Sequence, residues 1–200
     1  MKKIAVYGGS FDPPHKGHTL LFNQLMSVTG AEYGLVIPAH SSPFKNGCIA
    51  SDTDRLEMCR KAFEKTNAEV SDIELTRSGK SYTYDTVKLL KERYPDSVFY
   101  LFMGDDMFLS LDKWYRFKEL SELCIPVAAC RTSDLHYLEK MRDFAENTLH
   151  LQNGGYIISE VAPFEISSTK IRSLLKENKN PAKYLDGDVY EYILSKRLYK

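Results

Sequence analysis

Short apolar runs at residues 4–7, 33–37, 68–73, 98–103, 125–129 and 156–159 alternate with longer stretches whose apolar residues recur at helical spacing. Parallel strands buried on both faces read as continuous apolar runs, and each needs a crossover helix to reach the next. The alternation therefore predicts an α/β fold, a Rossmann-like doubly wound parallel sheet. The helical stretches carry their own signals. Leu20, Leu21, Leu25 and Val28 form a stripe that stops at Gly30. Leu56, Met58, Cys59, Ala62 and Phe63 follow Ser51, with Asp54 three residues on as a weaker capping box. Val87, Leu89 and Leu90 precede Pro95, and residues 135–149 are long enough for a further helix. A chain of 200 residues is expected to be a single domain, here a sheet core over 1–165 and a small helical part over 166–200.

Lys plus Arg (27) balance Asp plus Glu (27), so the chain does not hold a nucleic acid or an anionic membrane by field alone. Any anionic ligand must be held locally. No apolar run approaches a membrane span, and Met1-Lys2-Lys3 lacks the pattern of a signal peptide, so a cytoplasmic protein is expected. The four cysteines form no C-x-x-C pair and are expected as reduced thiols. A homo-oligomer is compatible with this composition.

In open parallel sheets, ligands bind at the carboxyl ends of the strands. The loop leaving the first strand reads Gly8-Gly9-Ser10-Phe11-Asp12-Pro13-Pro14-His15-Lys16-Gly17-His18, which is neither a Walker A loop nor G-x-G-x-x-G. Its glycines allow a turn close to a ligand, and two histidines three apart at a helix start can face one anion that the helix N-terminus also favours. Spacing alone fits a helix cap or a metal pair equally well. Near the other end, Ile166-Ser167-Ser168-Thr169-Lys170-Ile171-Arg172 offers a serine N-cap, an apolar stripe of Ile171, Leu174 and Leu175, and Thr169 and Arg172 together on another face. A hydroxyl, backbone N–H groups and a guanidinium can thus surround one phosphate.

The first loop resembles the G-x-F-D-x-x-H-x-G-H fingerprint of the nucleotidyltransferase superfamily, and residues 166–172 look like the I-S-S-T-x-I-R of its adenylyltransferases. Residues 77–86 resemble the R-x-G-x-S-Y-T-x-D-T segment of bacterial nicotinate mononucleotide adenylyltransferases, and Gly104-Asp105-Asp106 with Leu111 and Trp114 resembles their G-x-D…L-x-x-W. The resemblance implies an enzyme of NAD biosynthesis joining ATP and nicotinate mononucleotide to give nicotinic acid adenine dinucleotide and pyrophosphate. It implies catalytic roles for His15, His18 and Arg172, and ATP binding by Gly8, Gly9, Ser10, Phe11, Lys45, Gly104, Asp106, Ile166, Ser168 and Thr169. Tyr82, Thr83, Trp114 and Arg131 would bind the mononucleotide, with Trp114 stacking on the pyridine ring. Mg²⁺ would travel on the ATP phosphates, with no dedicated metal site in the protein. In one place the chain departs from the family: Phe44 stands where a histidine is usual, and His40 is the nearby substitute. His136 and His150 are expected to be exposed in a polar helical segment. Other readings are an adenylyltransferase acting on nicotinamide mononucleotide or pantetheine phosphate, a cytidylyltransferase, a synthetase-like enzyme, and a non-catalytic nucleotide sensor. Trp114 and residues 77–86 speak against pantetheine phosphate, the I-S-S-T-K-I-R form against a cytidylyltransferase, and the intact histidines against a sensor.

Overall fold

The structure, a computed structural model, describes residues 1–40, 47–162 and 165–200. Its strands are β1 (Lys2–Gly9), β2 (Tyr33–Pro38), β3 (Ala68–Val70), β4 (Ser97–Gly104), β5 (Ile125–Cys130) and β6 (Ile157–Glu160). Its helices are α1 (Lys16–Thr29), α2 (Asp52–Phe63), α3 (Thr83–Arg93), α4 (Asp105–Phe108), α5 (Phe117–Leu123), α6 (Leu135–Asp143), α7 (Ser168–Lys176) and α8 (Gly187–Lys196). The sheet order is β3-β2-β1-β4-β5-β6, the doubly wound arrangement that the alternation of strands and helices predicts. Parallel register sets Ile4 opposite Phe99, Leu101 opposite Pro126, and Ala128 opposite Ile158.

The chain divides into two compact units. The first comprises Met1–Tyr7, Gln24–Gly34 and Tyr82–Pro163. It packs Phe99 and Val127 of the sheet with Val87 of α3, Phe108 of α4 and Met141 of α6, all fully buried. The second comprises Gly8–Asn23, Leu35–Ser81 and Phe164–Lys200. Its centre is an edge-to-face aromatic chain, with Phe63 5.6 Å from Phe22 and 6.0 Å from Phe11 between ring centroids. Each such pair contributes ~0.5–1.5 kcal/mol beyond the area it buries.

Local chemistry explains where elements begin and where expectation and structure part. Ser51 caps α2 by accepting from the Asp54 N–H at 3.1 Å; the Asp54 carboxylate then takes the Ser51 hydroxyl at 2.6 Å instead of the Ser51 backbone N–H, so the first half of the expected capping box forms and a side-chain bond replaces the second. Ser167 caps α7 through the Lys170 N–H. The third strand is shorter than the apolar run, because the Asp72 carbonyl accepts from the Leu75 and Thr76 N–H groups and turns the chain. In α1 the buried positions are Phe22, Leu25 and Thr29, while Val28 is half exposed, so the buried face is rotated from the expected stripe. Residues 135–149 do not form one α-helix. After α6 the chain widens into a π-helical turn at Phe144–Thr148, where the Leu149 N–H reaches back to the Phe144 carbonyl, and His150 lies beyond it at a positive φ of 55°.

Candidate active site

The first loop, in the second unit, is held from beneath by a buried cation. Arg55 of α2 has no exposure, and it donates to the Ser10 carbonyl and the Ala39 carbonyl, each at 2.7 Å. Asp52, one turn earlier, accepts from the same guanidinium and from His40 Nδ1. Burial pushes the Asp52 carboxyl up, but these hydrogen bonds outweigh it and hold the group below the usual aspartate range. His40 is thus committed through Nδ1 to Asp52, and its backbone N–H donates to Ser81 Oγ. Phe44 and Lys45 lie outside the described residues.

At Phe11 the backbone takes φ 46°, a conformation rare for a bulky residue, with its ring buried against Phe63 and 5.0 Å from the His18 ring. A side chain at Gly9 would come within 3.0–3.3 Å of the Phe11 ring, so glycine there makes room for it. Gly8 ends the buried part of β1 and is exposed. Asp12 is buried; its carboxylate accepts from the Ile49 N–H at 2.8 Å, the Ala50 N–H at 3.1 Å and the Tyr199 hydroxyl at 2.8 Å.

His15 immediately precedes α1. Its carbonyl accepts from the His18 N–H at 2.8 Å, and its own N–H donates to His18 Nδ1 at 3.1 Å. The second bond is the N3 half of a capping box made with an imidazole in place of a carboxylate. An accepting ring nitrogen carries no proton, so the proton of the neutral His18 ring sits on Nε2 and that atom is a donor. The two rings stack with centroids 3.7 Å apart. Burial holds the His15 imidazole down at about pKa 4, so it is neutral at pH 7, and its Nδ1 has no partner among the described residues.

The start of α7 is pinned to this loop. Ser168 Oγ donates to the Pro13 carbonyl at 2.8 Å, and Arg172 NH1 donates to the Asp12 carbonyl at 2.7 Å. Arg172 NH2 donates to Thr169 Oγ1 at 3.2 Å, confirming the shared face. Thr169 is exposed and Ile166 half-buried. The two terminal motifs, about 155 residues apart in sequence, are therefore one hydrogen-bonded group.

In the first unit, the end of β4 turns into α4 at Gly104. A Cβ there would sit 2.8 Å from Asp106 Oδ1, so glycine is needed for the Asp106 carboxylate to fold back, and Asp106 itself is exposed. Asp105 is buried; its Oδ1 accepts from Arg131 NH2 at 2.9 Å, and its Oδ2 from the Tyr137 hydroxyl at 3.4 Å. The hydrogen bond to Asp105 pushes the Arg131 pKa up, and half of the Arg131 side chain remains exposed. Tyr82 stands at the N-terminus of α3 with no side-chain cap, and Thr83 is the first helical residue. The Tyr82 ring lies 4.5 Å from that of Tyr115, and the Arg116 guanidinium sits 4.3 Å over Tyr84, which fixes the segment beyond Trp114. Trp114 is half-buried, donates from Nε1 to Ser110 Oγ at 3.3 Å, and lines an open pocket of about 570 Å³ with Arg116, Phe117, Lys118, His150 and Leu151.

Sequence reasoning missed Arg55, Asp105, Tyr137, Tyr199 and the place of His150 beside Trp114. Asp52, three residues before Arg55, was the available signal for a paired buried arginine. Nothing local in the sequence marks Tyr199. Among the described residues no three His, Cys, Asp or Glu side chains gather to hold a metal ion, and no helix is long and apolar enough to cross a membrane.

The cytidylyltransferase-like family matches residues 6–174. The nicotinate-nucleotide adenylyltransferase of Bacillus subtilis is 35% identical over an alignment 203 positions long, covering 100% of both chains. The solved Plasmodium falciparum nicotinic acid mononucleotide adenylyltransferase complexed with NaAD has TM-score 0.79 at 21% identity, covering 100% of this chain and 98% of that one, and shows the same fold. The same enzyme complexed with APC gives TM-score 0.76 over the same shares. This chain belongs to the cytidylyltransferase-like family, among its nicotinate-nucleotide adenylyltransferases.

Proposed function

We propose that this protein transfers the adenylyl group of ATP to nicotinate mononucleotide, forming nicotinic acid adenine dinucleotide and releasing pyrophosphate. The observation that carries the reading is the pinning of α7 onto the first loop by Ser168 and Arg172, which sets Thr169 and Arg172 on the same loop that leads into His15 and His18. A phosphate oxygen of the mononucleotide attacks the α-phosphorus, and the bond from that phosphorus to the β-bridging oxygen breaks. The attacking phosphate is already anionic, so the step needs no protein nucleophile and no general base. The requirement is alignment, which can supply up to ~7–11 kcal/mol, and donors aimed at the charge that builds on the departing pyrophosphate, worth ~2.7–4 kcal/mol each.

His18 supplies such a donor at Nε2, oriented by the cap at Nδ1. His15 acts as the neutral wall that sets this ring by stacking. Arg172 and Thr169 hold the β- and γ-phosphates, with Ile166, Ser168, Gly8, Gly9, Ser10 and Phe11 shaping the loop around the nucleotide, and Lys45, Gly104 and Asp106 completing ATP binding. Trp114 stacks on the nicotinate ring, the N–H groups at Tyr82 and Thr83 face its carboxylate, and Arg131 takes the mononucleotide phosphate. Divalent-cation chemistry would be supplied by Mg²⁺ brought in on the ATP phosphates, where it would offset their charge while Arg172, Thr169 and His18 hold them. The chain suits an ion carried in this way: Asp12 and Asp52 are engaged by protein donors, and the residues offered to the phosphates are N–H and O–H donors. The test is pyrophosphate release from ATP with nicotinate mononucleotide, nicotinamide mononucleotide or pantetheine phosphate offered separately. Release with the first and little with the others supports the reading, and release with pantetheine phosphate alone overturns it.

A further inference from the structure

The carboxylate of Asp12, within the donor group, is engaged by three protein donors. It is 5% exposed and ties three separate stretches of chain together: the first loop, the Ile49–Ala50 backbone that leads into α2, and the C-terminal tail through Tyr199. The tail is itself held in place. Tyr192 of α8 donates to Asp54 of α2 at 3.0 Å, Lys16 Nζ donates to the Lys183 carbonyl at 3.1 Å, and the chain leaves α8 through two positive-φ residues, Arg197 and Tyr199. Tyr199 is buried, with 7% exposure, although it is the penultimate residue. Burial, and next to it the Asp12 charge, push its hydroxyl far above the ordinary tyrosine value, so it remains a donor throughout the working pH range.

Arg172 is the neighbour that makes this matter. Its NH1 donates to the Asp12 backbone carbonyl at 2.7 Å and stands at ion-pair distance, 4.0 Å, from Asp12 Oδ2, too far to hydrogen-bond it. With three donors already on the carboxylate, the guanidinium stays at ion-pair distance and comes no closer. A buried carboxylate that loses one donor seeks another, and the nearest charged one is Arg172. We infer that Tyr199 is a positioning residue for the nucleotide site, its hydroxyl holding Asp12 so that the Arg172 guanidinium stays turned to the triphosphate. This rests on the adenylyltransferase reading for its substrates, though not for its geometry.

The test compares Tyr199→Phe, which keeps the buried ring, with a chain lacking only Lys200, which keeps the hydroxyl. Steady-state constants for both substrates are measured alongside melting temperature and the equilibrium affinity of a non-hydrolysable ATP analogue. The expected result for Tyr199→Phe is a rise of about three- to tenfold in the KM for ATP and in the analogue Kd, with the mononucleotide KM within about twofold of wild type. The chain lacking Lys200 matches wild type. An unchanged analogue Kd in Tyr199→Phe, or equal rises in both KM values, overturns the inference and leaves Tyr199 as packing alone. Should the wild-type enzyme make no dinucleotide, the adenylyltransferase reading fails, and the analogue Kd still decides the role of Tyr199.

Discussion

The backbone N–H of His15 donates to His18 Nδ1 at 3.1 Å while the two imidazoles stack at 3.7 Å, so one histidine orients the other and only one of them is positioned as a donor through a fixed tautomer. Replacing His18 by alanine removes both the cap and the Nε2 donor. Turnover should fall by roughly 10²–10³ with the fold kept, because a donor aimed at developing charge acts mainly in the transition state. Single-turnover rates check this, and near-normal turnover removes His18 from the mechanism.

His15 behaves differently, since burial lowers its pKa from 6.5 to about 4 in the folded protein. Below pH 6.5 the unfolded chain takes up a proton that the native one refuses, so stability is fully present above pH 6.5 and declines as pH falls towards 4. The loss from this residue reaches ~3 kcal/mol at the low end. In His15→Gln that component of the pH dependence should vanish. Denaturant midpoints measured across the window show it as a flatter profile than wild type, and parallel profiles count against a buried neutral His15.

Arg172→Ala should weaken ATP and leave mononucleotide affinity nearly unchanged, as its guanidinium belongs to the group built on the first loop and α7. Titration calorimetry with each substrate separates the two, and equal losses place the residue elsewhere.

Trp114 is half-buried beside an open pocket, so its truncation should not behave as a core deletion, which costs ~3–5 kcal/mol. Trp114→Ala should raise the mononucleotide KM about tenfold, with small change in ATP affinity or melting temperature. As the chain's one tryptophan, it should also change fluorescence on adding the mononucleotide and much less with ATP. A collapsed melting temperature with no fluorescence response contradicts the stacking role.

Much of the fold is legible in the sequence itself, for definite physical reasons. The four inner strands β2, β1, β4 and β5 are legible because strands covered on both faces need continuous apolar runs, as in Phe99-Tyr100-Leu101-Phe102, while the edge strands β3 and β6 stay largely unburied and carry the weaker signal. The caps at Ser51 and Ser167 were legible because capping is local. The rotated face of α1 was not, since Phe22 and Val28 are equally apolar and only tertiary packing selects between them. Arg55 and Asp105 escaped for a related reason. A charged side chain reads as solvent-facing until its partners are known, and theirs are the carbonyls of Ser10 and Ala39 in one case and Arg131 and Tyr137 in the other.

The most direct measurement follows the phosphates themselves. ATP labelled at the α-phosphate in one reaction and at the γ-phosphate in another is incubated with Mg²⁺, nicotinate mononucleotide and the purified protein. The account predicts that the α label appears in nicotinic acid adenine dinucleotide and the γ label in pyrophosphate, in equal amounts and only when the mononucleotide is present. Recovery of the γ label as orthophosphate, or of the α label in AMP or ADP without dinucleotide, would contradict adenylyl transfer by this protein.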